Sequence, residues 1–387
     1  MKTRFLRRLM PLALLLTACG LYRAAAARPD ASIAVERQEP WTISPRYDDP
    51  RVATDEQLHQ VLQRLMPPAG APNTNTLVHA LRLWGPAADF GSDAIASGAR
   101  MREYYLDDHQ FQKLAGADAP PLWSIERDGV RARPWEAWDK DRDTGSVHTD
   151  DLLATLAEIG TPLNQRVITR SGPTTVGTLL QDTMRRFHRE QHEYEWSAIS
   201  YARYLFPTTE WRNRWGQKIT VADVVDELLA QPYSNGVCGG THRLEALVVL
   251  YRADEQARVL SRHERKKIVA RLAEVSRLLV AAQHADGYWT RRWLSGRPPA
   301  TNAKTDLYER ILLTGHHLEW LALAPPEVQP PRETIVRAGQ WLVRAMLEID
   351  PQTLASHYGP CSHAGRALCL WRSQEPYIAW KAGRNES

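Results

Sequence analysis

The chain has 387 residues, 43% of them hydrophobic, enough to bury one large core or two ordinary ones and too many for a disordered polymer. Abundant Leu, Ala, Glu and Arg beside only 22 Gly and 5 Phe point to helices rather than sheets. The formal charge of +4 belongs to the N-terminus: without Lys2, Arg4, Arg7 and Arg8 the chain keeps 45 basic residues against 45 acidic ones, a neutral body that argues against nucleic acid as partner.

Those four basic residues precede the apolar run Met10-Pro-Leu-Ala-Leu-Leu-Leu16. It is too short for a membrane span of about 20 residues and has the length of a secretory signal core. Leu16-Thr17-Ala18-Cys19 resembles the lipobox of bacterial lipoproteins. That resemblance implies removal of residues 1–18, acylation of Cys19, and a membrane-anchored protein of the cell envelope facing the periplasm. An ordinary cleaved signal is the alternative. Residues 19–53 lack a sustained apolar period and read as a lipid-anchored tether, so the domain is expected over 54–387. Beyond Cys19 stand Cys238, Cys361 and Cys369, and an odd number leaves at least one thiol unpaired, buried or bound to metal.

Along the domain a unit recurs, opening with Asn73, His148, His192, His242, His316 and His363, each at the start of an apolar helix. Amphipathic helices alternate with them near 54–66, 92–114, 264–283 and 334–348, and after Gly172 and Gly216, where Thr175 and Thr220 are suited to N-caps. An all-round apolar helix must be buried, whereas one with a polar face can lie outside. The pattern therefore predicts an all-α fold, an (α/α)6 toroid of six inner and six outer helices. Nothing complete follows the last inner helix, so the helix at 54–66 is expected to close the gap from the other end of the chain. An irregular bundle or an open solenoid remains the alternative. Asp128-Gly129, between short alternating runs from Leu122 to Trp135, predicts a small β-hairpin insertion.

Gln283-His-Ala-Asp286-Gly287-Tyr-Trp289 resembles the Gln–Trp motif of the terpenoid cyclase and prenyltransferase toroid superfamily, which joins an outer helix to the next inner one. The likeness, with the six-fold pattern, covers about 54–375 and implies architecture only. The family's Asp-x-Asp-Asp and Asp-Cys-Thr-Ala acids, its zinc triad, and the thioester sequence of complement-like relatives are absent from the sequence. A second likeness is to lanthionine-synthetase-type toroids, in which two cysteines and a histidine at inner-helix starts hold Zn²⁺. Cys238 precedes the helix of His242, and Cys361-Ser-His363-Ala-Gly365 is similar to that family's Cys-His-Gly segment. What this implies is a zinc set of Cys238, His242, Cys361 and His363.

If the inner helices begin at one end of a ring, their histidines should surround a pit. Asp151, Glu195, Glu245 and Glu319 would then lie one turn deeper. Carboxylates beside histidines suit glycan cleavage or other hydrolase or lyase chemistry, with Glu195, Glu245, Glu319, His242 and His316 as candidate catalytic residues. Without catalysis, the pit would bind a glycan or small molecule on Trp123, Trp135, Trp138, Trp289 or Trp293. A third reading gives the repeated His and acid only a capping role. For Cys238 and Cys361, a disulfide across the mouth competes with zinc.

Overall fold

A computed structural model of the chain describes residues 35, 37–70, 73–116, 119–126, 129–133, 148–191, 193–299 and 306–385. Cys19, Trp135, Trp138 and His192 lie outside the described residues. Some 60% of the described residues are helical, with short two-stranded sheets as the remainder of their regular structure.

One set of helices is buried on most faces: α2 (Thr74–Trp84), α5 (Asp151–Glu158), α7 (Glu195–Ser200, continued by a π turn Tyr201–Leu205), α9 (Thr241–Ala257), α11 (Leu307–Leu323) and α14 (Tyr358–Trp371). Every residue from Thr241 to Tyr251 and from Ile311 to Leu323 is buried. Each Leu or Val so withdrawn from water stabilises the fold by about 1.5–3 kcal/mol. Helix α2 packs on α5, α5 on α7, α7 on α9, α9 on α11 and α11 on α14, and α14 packs in turn on α2.

The amphipathic set comprises α1 (Asp55–Arg64), α3 (Gly98–Leu106), α4 (Asp108–Ala115), α6 (Val176–Arg186), α8 (Val221–Ala230), α10 (Arg262–Ala282) and α12 (Arg332–Glu348). After the short α13 (Pro351–Ser356) and α14 comes α15 (Pro376–Asn385), which the sequence did not predict. It packs on α1, so the first and last amphipathic helices lie side by side. Thr175 and Thr220 are N-caps as expected, Thr175 accepting from the backbone N–H of Thr178 and Thr220 forming a reciprocal capping box, and Thr54 and Ser261 form further capping boxes at the starts of α1 and α10. Such a cap contributes about 1 kcal/mol.

The predicted hairpin is present as β1 (Trp123–Glu126) and β2 (Gly129–Ala132), with Glu126 opposite Gly129. Two further hairpins were not anticipated, β3 (Arg166–Thr169) with β4 (Gly172–Thr175) and β5 (Glu210–Arg212) with β6 (Lys218–Thr220). Each runs straight into the N-cap of an amphipathic helix, α6 or α8. At the Gln–Trp motif, the Gln283 amide donates to the carbonyls of Gly287 and Thr334, both at 2.8 Å, and the Trp289 indole donates to the Leu279 carbonyl at 2.9 Å. The motif thus ties the end of α10 to the turn after it and to α12.

Residues 37–53, read as tether, form an extended strap over the C-terminal ends of the buried helices. Its backbone bonds successively reach Leu163, Arg203, Ala322 and Trp371. Side chains of Arg252, Tyr47 and Arg372 add bonds to the carbonyls of Ser44, Ala324 and Ala53. Helix ends have carbonyls without intrahelical partners. The strap meets that need without any hydrophobic period of its own, which is why its sequence looks featureless.

Candidate functional site

Opposite the strap, toward the N-terminal ends of the buried helices, lies a cavity of about 740 Å³ counting its open mouth. His79, His148, His242, His316 and His363 line it, together with Cys238 and Trp196. The rings of His316 and His363 are 3.9 Å apart between centroids, those of His242 and His316 4.5 Å, and His242 lies 4.3 Å from Trp196.

Each imidazole is fixed through its Nδ1. His242 Nδ1 donates to Glu245 at 3.3 Å, His316 Nδ1 to Glu319 at 3.0 Å, and His363 Nδ1 to the same Glu319 at 2.9 Å. His79 uses the Asn75 carbonyl at 2.7 Å, and His148 uses Glu193 at 3.1 Å. The Nε2 atoms are thereby left for chemistry. His316 Nε2 is buried and has no nitrogen or oxygen partner.

Below the histidines lies a layer of charge to which each of the six buried helices contributes one residue: Arg82, Glu158, Arg203, Glu245, Glu319 and Arg366. Arg82 bonds Glu158 and, at 2.8 Å, Glu245. Arg366 bonds Glu319 at 2.8 Å, Glu158 at 3.3 Å and Glu245 at 3.4 Å. Arg203 is 3.8 Å from Glu158 and donates to the Trp41 carbonyl of the strap. Three positive and three negative charges cancel. Burial would raise the Glu245 carboxyl, but Arg82 and the bond to His242 outweigh it and hold it well below the usual range. Glu319 is likewise held down by His363 and Arg366 against its burial. Both stay ionised, whereas a general acid needs a raised pKa. Glu195 does not line the cavity; it accepts from Arg243 Nε at 3.0 Å.

Cys238 sits in the turn before α9 with a left-handed backbone, φ 49° and ψ 38°, followed by Gly239 and Gly240, also at positive φ. Its sulfur and one ring nitrogen each of His242 and His316 lie within 4.8 Å of one another. Burial alone would push the Cys238 thiol up, yet His316 and His242 outweigh it and bring it well below an ordinary thiol. His316 is raised to about 9, because Cys238 and Glu319 overcome its burial.

The predicted zinc set is not brought together. Cys238, His242 and His363 face the cavity, but Cys361 neither lines it nor joins a group of potential ligands among the described residues. Its thiol is buried on α14 and pushed up to about 12. Nor do Cys238 and Cys361 form the expected disulfide: Cys238, Cys361 and Cys369 are all free thiols. Trp123, Trp289 and Trp293 are buried in the core rather than displayed as platforms. Trp196 occupies the cavity wall instead.

Sequence reasoning missed His79, Arg82, Glu158 and Arg203, although a signal was present. His79–Arg82, His242–Glu245, His316–Glu319 and His363–Arg366 share one spacing, and Thr155–Glu158 and Ser200–Arg203 continue it. Aligning the first three units on Asn73, His148 and His192 set them about two turns out of register.

No family model matches the chain, and neither a curated protein nor a solved structure matches it.

Proposed function

We propose that the domain is a closed (α/α)6 toroid and that its histidine-lined pit is the active site of an extracytoplasmic enzyme with hydrolase or lyase chemistry. What supports closure is the return of the packing series from α14 to α2 and the connected network of six charged side chains, one per buried helix. The single observation that carries the catalytic reading is the cluster of Cys238, His242 and His316 lining an accessible cavity. A nucleophile or ligand atom, bases beside it, and carboxylates orienting those bases are the parts such chemistry requires.

The chemistry centres on sulfur and imidazole rather than on a carboxylate pair, because Glu245 and Glu319 are committed to arginines and histidines. The substrate is a small or slender molecule able to enter the cavity, whose less buried walls include His148 and Tyr308. Acylation of Cys19 would hold the enzyme at the envelope membrane; palmitate labelling that persists in Cys19→Ser would contradict this anchor.

The test is turnover by the purified mature chain on a panel of esters, amides, lactones and oligosaccharides. Cys238→Ala is expected to lower turnover at least about 100-fold, and Cys361→Ser, outside the cavity, to leave it unchanged. Turnover indifferent to Cys238→Ala, or no turnover across the panel, would overturn the proposal in favour of a binding protein.

A further inference from the structure

We infer that Cys238, His242 and His316 form a three-ligand transition-metal site in the pit, selective for Zn²⁺, with its fourth coordination position open toward the cavity. The inference rests on the reading of this cavity as the functional site, and it moves the ligand set away from Cys361 to three residues on two adjacent buried helices and the turn before them.

Donor chemistry is the first argument. One sulfur and two imidazole nitrogens within 4.8 Å of one another suit a borderline-soft ion, whereas Mg²⁺ and Ca²⁺ take oxygen ligands. Tetrahedral zinc at ordinary bond lengths separates such donors by roughly 3.3–3.6 Å, so small side-chain rotations complete the set. Three protein ligands and a vacant corner are the arrangement of zinc sites that act on a bound molecule, while structural sites use four.

Orientation is the second. Nδ1 of His242 faces Glu245 and Nδ1 of His316 faces Glu319, which leaves Nε2 of both rings for a ligand beside the sulfur. Carboxylates behind metal-binding histidines serve this purpose, fixing ring and tautomer. The third argument is the His316 ring itself, whose polar edge has the Cys238 sulfur as its neighbour. His316 is 3% exposed, and its Nε2 meets no hydrogen-bonding nitrogen or oxygen. Buried polar atoms ordinarily find partners.

The turn that carries Cys238 is built for this placement. Cys238 has positive φ, and any side chain at Gly240 would run into the Tyr233 backbone, 2.7 Å from the added carbon. A non-glycine residue held in the left-handed region costs energy and marks a position fixed for a purpose. Here the conformation turns the sulfur back over the start of α9, toward His242 one turn on. His363 stays outside the triad, 3.9 Å from the His316 ring and bonded to the same glutamate, beside the open corner.

The test uses the full mature chain, stripped by chelator and dialysed against Zn²⁺ in competition with a chromophoric chelator. One equivalent of zinc is expected, displaced by neither Mg²⁺ nor Ca²⁺. Cys238→Ser and His316→Ala should each weaken binding at least about 100-fold with unchanged circular dichroism, and Cys361→Ser should bind as the native protein does. Should either ligand variant fail to fold, two measurements on the native chain decide. Co²⁺ must produce a thiolate charge-transfer band, and Zn²⁺ must protect Cys238 from alkylation. Zinc binding unaffected by Cys238→Ser, a Co²⁺ spectrum without that band, exclusive uptake of copper, or rapid alkylation of Cys238 in zinc-saturated protein would each overturn the inference. Its failure is separable from that of the enzymatic proposal: turnover by the chelator-stripped chain refutes the metal's role alone, while tight zinc with no turnover refutes catalysis alone.

Discussion

At the scale of single residues, the dominant feature is six buried charges that cancel. A buried ion pair is weak evidence of net stabilisation, but removing one partner strands the other. Arg366→Ala leaves Glu158, Glu245 and Glu319 short of a cation and should destabilise the domain by about 3–5 kcal/mol in urea titration. Lys218→Ala, which breaks the exposed pair with Glu210, should cost less than about 1 kcal/mol. Similar losses for the two would contradict the account of the charged layer. Glu158 adds a pH dependence whose sign follows from its surroundings. Burial raises its carboxyl, but Arg82 and Arg366 outweigh this and bring it below the ordinary value of 4.5. A carboxylate depressed in the folded state contributes stability that is present above its unfolded pKa and is lost as pH falls through the folded one. Glu158→Gln should therefore flatten the acid side of the stability profile below about pH 4.5; an unaltered acid limb would contradict this. None of these partners is adjacent in sequence, so the charged layer was legible only as repeated spacing. The strong anchors His148 and His192 drew the first units to the wrong turn.

At the scale of elements, most helices were readable because capping and periodicity are local. Thr175 and Thr220 identify the starts of α6 and α8 from a few residues of sequence. The hairpins before them were not readable: each strand is only three or four residues long, and Gly172 and Gly216 look the same whether they end a helix or turn a hairpin. Helix α15 was missed because Pro376 follows closely on α14 and its apolar face is short. Residues 37–53 illustrate a different limit, since backbone hydrogen bonds to helix ends leave no mark on composition. A chain beginning at Thr54 should consequently unfold at a lower urea concentration than one beginning at Val35. An equal midpoint would restore the reading of that segment as tether. Gly287, at φ 114° and against the Arg337 carbonyl, admits no side chain. Gly287→Ala is expected to cost about 1–3 kcal/mol, and an unchanged midpoint would remove the turn from the account.

For the whole molecule, the proposed closure has a consequence that an open stack lacks. Repeats that touch only their neighbours can unfold from an end, in parts. A ring joined where α14 meets α2, and again where α15 meets α1, has no end from which to unravel. Calorimetry should show one cooperative transition for the described domain, with calorimetric and van't Hoff enthalpies equal. Two resolved transitions would favour a solenoid. The all-α class and the alternation of buried and amphipathic helices were legible from pattern, because both follow from which faces must leave water. The proposed site was half legible: Cys238, His242 and His316 stood out in sequence, but their grouping depends on the register of α11 against α9, which no local signal encodes.

The most direct test of the account is anomalous scattering at the zinc edge from crystals of the mature chain grown with Zn²⁺. It predicts one strong peak in the pit, bonded to Cys238 Sγ and to Nε2 of His242 and His316, with Glu245 and Glu319 behind the two rings. A peak elsewhere, no peak, or a disulfide between Cys238 and Cys361 would contradict it.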